Sequence, residues 1–290
     1  MIANILCLIL SVLVPMNFEL HEEEVSTITI EEVRSHRLVY ESTYALYFKE
    51  TLIKEFAEDA EVLLIAFNDH AWVIYVEQKT LHIEGYDENN VKVCQRAFND
   101  FFDSEFDVWD DDHNMYITGS ITQYRSDDFI SKKQGYHENK DAFILKIEAD
   151  SFHFEPFIFG GVLDEGFTKI TGENEYVYVS GYKEPLSGGD FGNGGSKDYV
   201  VCTIVFDKQL QLIDYAIIDE CQVLDMMVID SMIMIITNQS YYILNQDLSI
   251  LSHFQAEETL TMAKISPNGF AFLATNNMCF CLDMFEPSQL

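Results

Sequence analysis

Asn114-Met-Tyr-Ile-Thr-Gly119 is answered further along the chain by Glu175-Tyr-Val-Tyr-Val-Ser-Gly181, and each is followed, after a long polar insert, by a second apolar run: Lys140-Asp-Ala-Phe-Ile-Leu-Lys146 and Lys197-Asp-Tyr-Val-Val-Cys-Thr203. Internal repetition of this kind is the signature of an architecture built from copies of one supersecondary unit. Each unit holds four short segments rich in Val, Ile, Phe and Tyr, bounded by Asp, Asn, Gly or Ser, with no sustained helical period. That pattern predicts strands joined by tight turns.

Working outward, the same rhythm of strands, lettered a to d within a unit, falls at 26–57, 61–97, 105–159, 166–217 and 222–255. A sixth unit, 259–284, supplies only three strands. The segment Asn17-Phe-Glu-Leu-His-Glu-Glu24 precedes the first a strand as other d strands precede theirs. The expected fold is therefore all-β: a six-bladed β-propeller of four-stranded blades over residues 17–290, its last blade closed by the N-terminal strand. Closure of that kind removes exposed terminal edges.

Tyr116-Ile-Thr-Gly119, Tyr178-Val-Ser-Gly181, Asp141-Ala-Phe-Ile-Leu-Lys146 and Phe159-Gly-Gly-Val-Leu-Asp-Glu-Gly166 resemble the bacterial SBBP-type β-propeller repeat over about residues 105–218. That repeat runs through a Tyr-Val-Thr-Gly strand, a polar insert, a Gly-Asp-Ala-Phe-Val-x-Lys strand and a Gly-Gly-x-x-x-Asp-Glu-Gly corner. The other four units keep the strand rhythm and lose the spelled motifs. The resemblance implies a secreted or envelope-associated propeller without assigned chemistry.

The chain has 290 residues, with 17 Lys plus Arg against 49 Asp plus Glu, a formal charge of −32. Nucleic acids and anionic membrane surfaces both select for a basic face, so both are excluded as expected partners. Disorder is excluded as well, because 22 Phe and 15 Tyr leave ample apolar surface to offset ordering entropy. Self-repulsion predicts a soluble monomer. Residues 1–16 (MIANILCLILSVLVPM) form an uncharged apolar run shorter than a membrane span. They read as a signal-peptide leader, which predicts export to the envelope or medium; a cytoplasmic chain beginning with a buried strand is the alternative. Six scattered cysteines define no disulfide framework, and Cys279 and Cys281, on one face of a strand, read as small core residues.

Function is sought where loops depart from the repeat. In a propeller the b–c and d–a connections share one face around the central channel. Two neighbouring units carry long b–c inserts, residues 123–139 and 183–197. Five of the 17 basic residues fall there. Tyr124, Arg125, Lys132, Lys133, Tyr136, His137, Lys183, Phe191 and Lys197 are therefore expected to form a basic and aromatic rim that contacts a protein or glycan ligand. No cofactor is expected.

The alternative is a calcium-dependent lactonase-like hydrolase, with Asp103, Asp164 and Asp219 converging from d–a corners on the channel mouth to hold Ca2+ and polarise an ester carbonyl. Asp110-Asp-Asp-His-Asn114 alternates like a calcium loop, but Met115 replaces the turning Gly and Ile121 the closing Glu, so it reads as a turn. Gly188-Gly-Asp-Phe-Gly-Asn-Gly-Gly195 is followed by a strand rather than the helix N-terminus a phosphate cradle needs. Nucleophilic catalysis finds no Gly-x-Ser-x-Gly elbow.

Overall fold

The computed structural model describes residues 28–40, 43–58, 60–99, 106–121, 139–220, 222–276 and 278–284. They fall into two compact units, within residues 1–104 and 105–290.

The first unit holds two antiparallel four-stranded sheets: β1 (Ile28–Val33), β2 (His36–Tyr40), β3 (Tyr44–Phe48) and β4 (Thr51–Glu55), then β5 (Glu61–Phe67), β6 (His70–Glu77), β7 (Thr80–Tyr86) and β8 (Lys92–Asn99). The second holds β9 (Asp107–Asp110), β10 (Asn114–Ile121), β11 (Asp141–Glu148) and β12 (Phe154–Phe159); β13 (Glu165–Glu173), β14 (Tyr176–Lys183), β15 (Val200–Asp207) and β16 (Leu212–Ile218); β17 (Val223–Ile229), β18 (Met232–Thr237), β19 (Ser240–Leu244) and β20 (Ile250–Gln255); and a three-stranded sheet of β21 (Met262–Ile265), β22 (Phe270–Ala274) and β23 (Cys279–Asp283). Strands pair in chain order within every sheet, so each is a meander. All the strands expected from residue 26 onward are present, with ends displaced by at most three residues. Residues 17–24, expected to complete the last sheet, lie outside the described residues, as does the apolar run 1–16.

Burial explains the two kinds of strand pattern. Middle strands such as β10, β15 and β19 are buried along nearly their whole length, because both sheet faces pack on something apolar, and they read as unbroken Val, Ile and Tyr runs. The fourth strands β8, β16 and β20 are largely exposed and carry mixed sequence. In the second unit the first strands stand side by side, β9 by β13, β13 by β17 and β17 by β21.

Three of the turns between third and fourth strands, β7–β8, β15–β16 and β19–β20, follow one recipe. Asp87 accepts the N–H groups of Asn89 and Val91 at 2.9 and 2.7 Å, and Asp207 those of Gln209 and Gln211 at 2.9 and 2.8 Å. Three residues beyond each Asp, and beyond Asn245, the chain turns left-handed at Asn90, Leu210 and Leu248. A leucine is strained there, and burial of Leu210 and Leu248 in the core offsets that cost.

Outer edges are guarded against pairing with other chains. β4, β8, β16 and β20 each carry a bulge near their start, with Ile53, Val93, Ile213 and Leu251 left over in the register. β12 has no bulge and carries Pro156 instead. Cys279 and Cys281 are exposed, contrary to the expected core placement, because β23 is the outermost described strand of its sheet.

Candidate functional site

The insert between β14 and β15, residues 184–199, is a folded cap. Its single turn of 3-10 helix, Gly189–Phe191, drops the Phe191 ring into the core, 5.7 Å from that of Phe167 and 6.4 Å from that of Phe159. Asp190 and Gly160 bond reciprocally: the Gly160 N–H donates to the Asp190 carboxylate at 3.1 Å, and the Asp190 N–H to the Gly160 carbonyl at 3.2 Å. That approach needs a glycine at 189, left-handed at φ 66°, where a Cβ would meet the Gly160 oxygen at 2.0 Å. The Val162 N–H donates to the Ser187 carbonyl at 3.0 Å and the Gly194 N–H to that of Pro185 at 2.9 Å.

The far end is pinned by the next d–a corner. Asp219 accepts the Ser196 N–H at 3.0 Å and also the Ser196 hydroxyl. These bonds, the hydroxyl first, hold its carboxyl below the usual carboxylate range. Asp164 has the matching role at the preceding sheet, accepting the Lys140 N–H at 3.0 Å. The two Asp-Glu corners thus fasten the chain ahead of β11 and β15.

Of the expected rim, Lys183 and Phe191 are fully buried and so belong to the inside of the cap rather than to its surface. The Lys183 ammonium donates to the Gly192 carbonyl at 2.6 Å, and desolvation lowers its pKa. Lys197 is partly exposed and engaged, 3.7 Å from Glu220 and 3.3 Å from the Gln239 side-chain oxygen. Tyr124, Arg125, Lys132, Lys133, Tyr136 and His137 lie outside the described residues, as does Asp103. Asp164 and Asp219 are each committed to backbone at separate corners. Among the described residues no group of three or more His, Cys, Asp and Glu side chains is placed to hold a metal ion. Asp111, in the calcium-like stretch, accepts the His113 and Asn114 N–H groups and the Lys208 ammonium at 2.7 to 2.8 Å, which makes it a turn cap.

The cap and the neighbouring 160–164 corner show solvent a mixture of polar residues, among them Asn193, Ser196 and Asp198, and a few apolar ones. Leu186 is 74% exposed, Val162 47% and Tyr199 39%. The Tyr199 ring meets that of Tyr182 edge-on at 5.8 Å. Its phenol is raised, first by burial and then by the negative charge of Asp164, Glu184 and Asp198 around it. The Glu184 N–H donates to the Asp164 carbonyl at 3.1 Å, which brings two of these acidic residues together.

Beneath the cap lies a group that loop length does not reveal. Glu165 is fully buried, and neither carboxylate oxygen has a well-aligned hydrogen-bond partner. Burial, reinforced by the nearby negative charges of Asp141 and Asp164, pushes its pKa up to about 8, with the Gly161 N–H and Lys183 opposing. The signal was in the sequence as the second acid of Asp164-Glu165, matched by Asp219-Glu220. Glu220 is also buried, but it accepts the Ser240 and Tyr242 hydroxyls at 3.1 and 3.2 Å.

Among the described residues no helix is long and apolar enough to cross a membrane. No protein-family model matches the sequence, and no curated protein matches it. Solved structures do. The Dos1 propeller is similar with a TM-score of 0.56 at 10% identity, over 86% of this chain and 64% of that one. BBS1N, solved in complex with ARL6DN, is similar with a TM-score of 0.50 at 8% identity, over 85% of this chain and 73% of that one. With six antiparallel meander sheets of matching order, these similarities show a β-propeller fold.

Proposed function

We propose that this chain is a non-catalytic binding propeller whose partner, a protein or glycan, contacts the inserts of the third and fourth blades. The observation that carries the reading is the pinned cap over residues 184–199. An insert held by a buried phenylalanine, a buried lysine and both neighbouring corners presents its surface in one conformation, which lowers the ordering cost of binding. Leu186 and Tyr199 stand exposed on it among polar residues. Tyr124, Arg125, Lys132, Lys133, Tyr136 and His137 of the adjoining insert extend the same reading. That BBS1N is held in a complex with ARL6DN supports such a use of the fold. The calcium-dependent hydrolase draws no support from Asp164 and Asp219, whose carboxylates serve backbone N–H groups.

Deletion of residues 186–196 tests the function. A partner captured by the intact chain, on a glycan array or by cross-linking, is lost from a deletion variant that still unfolds cooperatively; undiminished capture overturns the reading. The proposal includes export directed by residues 1–16, a monomeric state, and closure of the β21–β23 sheet by residues 17–24. Cell fractionation, sedimentation and truncation before residue 25, with its expected fall in melting temperature, check these in turn.

A further inference from the structure

We propose that the cap over residues 184–199 is a pH-sensitive closure, held shut by the protonated Glu165 carboxyl beneath it and released when that proton is lost. Only its consequence, regulation of the surface assigned above, rests on the binding reading; the opening itself needs no partner. Glu165 has no exposed surface, and neither of its oxygens meets a well-aligned donor among the described residues. Its counterpart at the next sheet, Glu220, accepts the Ser240 and Tyr242 hydroxyls at 3.1 and 3.2 Å and lies 3.7 Å from the Lys197 ammonium. Counted from the two-residue turns that lead into β14 and β18, Cys202 holds the place of Ser240. A thiol is a weak donor where a hydroxyl is a good one.

Lys183 of β14 is the cation that faces Glu165, and its ammonium is already committed to the Gly192 carbonyl of the cap at 2.6 Å. The other charges around the group are negative. Asp141 of β11 lies against Gly160, Asp190 of the cap accepts the Gly160 N–H at 3.1 Å, and Asp164 of the same corner accepts the Lys140 N–H at 3.0 Å. A neutral Glu165 is tolerated there; an ionised one must draw Lys183 from Gly192 or admit water, and either loosens the cap. Gly188, Gly192 and Gly195, all at positive φ, are points at which the segment can turn outward while the β13–β16 ladder stays paired. The raised carboxyl of Glu165 agrees in direction: the closed form keeps its proton up to about pH 8, against 4.5 for a solvated glutamate. Opening is therefore expected to grow with pH, by at most about tenfold per unit, and to level off above about pH 8.

Phe191 is buried while the cap is shut, so chymotryptic cleavage after Phe191 in the full chain reports opening. The rate is divided, at each pH from about 6.5 to about 9, by that of a free peptide of residues 184–199. The wild-type ratio is expected to rise roughly tenfold or more up to about pH 8 and then flatten, while the ratio for Glu165→Gln stays low and flat. Cys202→Ser gives Glu165 the hydroxyl that Glu220 has from Ser240, so its ratio should flatten at a lower pH and end severalfold below the wild type. A wild-type ratio indifferent to pH, a parallel rise in Glu165→Gln, or a Cys202→Ser profile that matches the wild type each overturns the proposal. So does cleavage that begins at buried aromatic residues of the strands, which marks unfolding of the sheets rather than opening of the cap. Should Glu165→Gln fail to fold, the Cys202→Ser profile still decides. Failure here removes the closure and leaves the binding function to the deletion of 186–196.

Discussion

The Asp225 carboxylate accepts the Ile265 N–H at 2.6 Å and so ties the first strand of one sheet to the first strand of the next. Asp107 does the same for Ile170 at 2.9 Å. The bulge between Val223 and Asp225 re-aims the strand just before this side chain, which leaves it buried with Lys264 at 3.9 Å. A hydrogen bond to a buried carboxylate contributes about 1.5–3 kcal/mol, and more is lost when the amide is left unpaired.

Asp225→Ala is therefore expected to destabilise the chain by about 2–3 kcal/mol, and Asp225→Asn, which keeps an acceptor, by less. Urea denaturation with an unchanged slope checks the order. Equal losses would show that charge rather than the bond carries the effect.

Gly181 closes the Tyr-Val-Ser-Gly run that first revealed the repeat, and its role is one of clearance. A Cβ there would stand 1.9 Å from the Gly166 carbonyl oxygen and 2.7 Å from the Phe167 Cα. Both obstacles are backbone, so no side chain can swing aside. Gly181→Ala should cost about 3 kcal/mol through forced separation of β13 from β14. A variant that melts with the wild type refutes the crowding.

These residues show what was readable in the chain and what was not. Strand positions were legible because period-two alternation, unbroken apolar runs and Asp-centred turns are local facts. Gly181 was legible as a repeated letter, although its reason is a contact with another strand. Lys183 and Phe191 were misread because residue type alone marks a lysine or an aromatic in a long loop as surface, whereas their burial depends on how the insert folds back over Gly160. Asp107 and Asp225 were hidden among 49 acids. Only pairing between sheets separates a carboxylate that holds a backbone amide from one that is solvated.

Lys183, the last residue of β14, fastens the cap through its side chain, while its backbone belongs to the sheet beneath. Lys183→Met removes the bond to the Gly192 carbonyl and the positive charge facing Glu165, while keeping the bulk of the side chain. The expected result is faster proteolysis within 186–196 with a melting temperature close to that of the wild type, since the loop opens locally. Cleavage at an unchanged rate would place the cap's stability in Phe191 and Asp190 alone.

Glu165 supplies a pH dependence whose sign follows from its burial. Its carboxyl is raised from an ordinary 4.5 to about 8, so the folded chain holds this proton more tightly than the unfolded chain does. The stabilisation from the neutral form is complete below about pH 4.5 and is lost as pH rises toward 8. Asp141, Asp164 and Lys183 face the group, and the general self-repulsion of an acidic chain lowers stability in the same direction. The informative quantity is therefore the difference between the wild type and Glu165→Gln, which keeps the shape and cannot ionise. Melting temperatures measured from about pH 5 to about pH 9 should show the variant gaining on the wild type through that range, with the gain levelling above about pH 8. Parallel curves would show that the proton at Glu165 does not distinguish the folded from the unfolded chain.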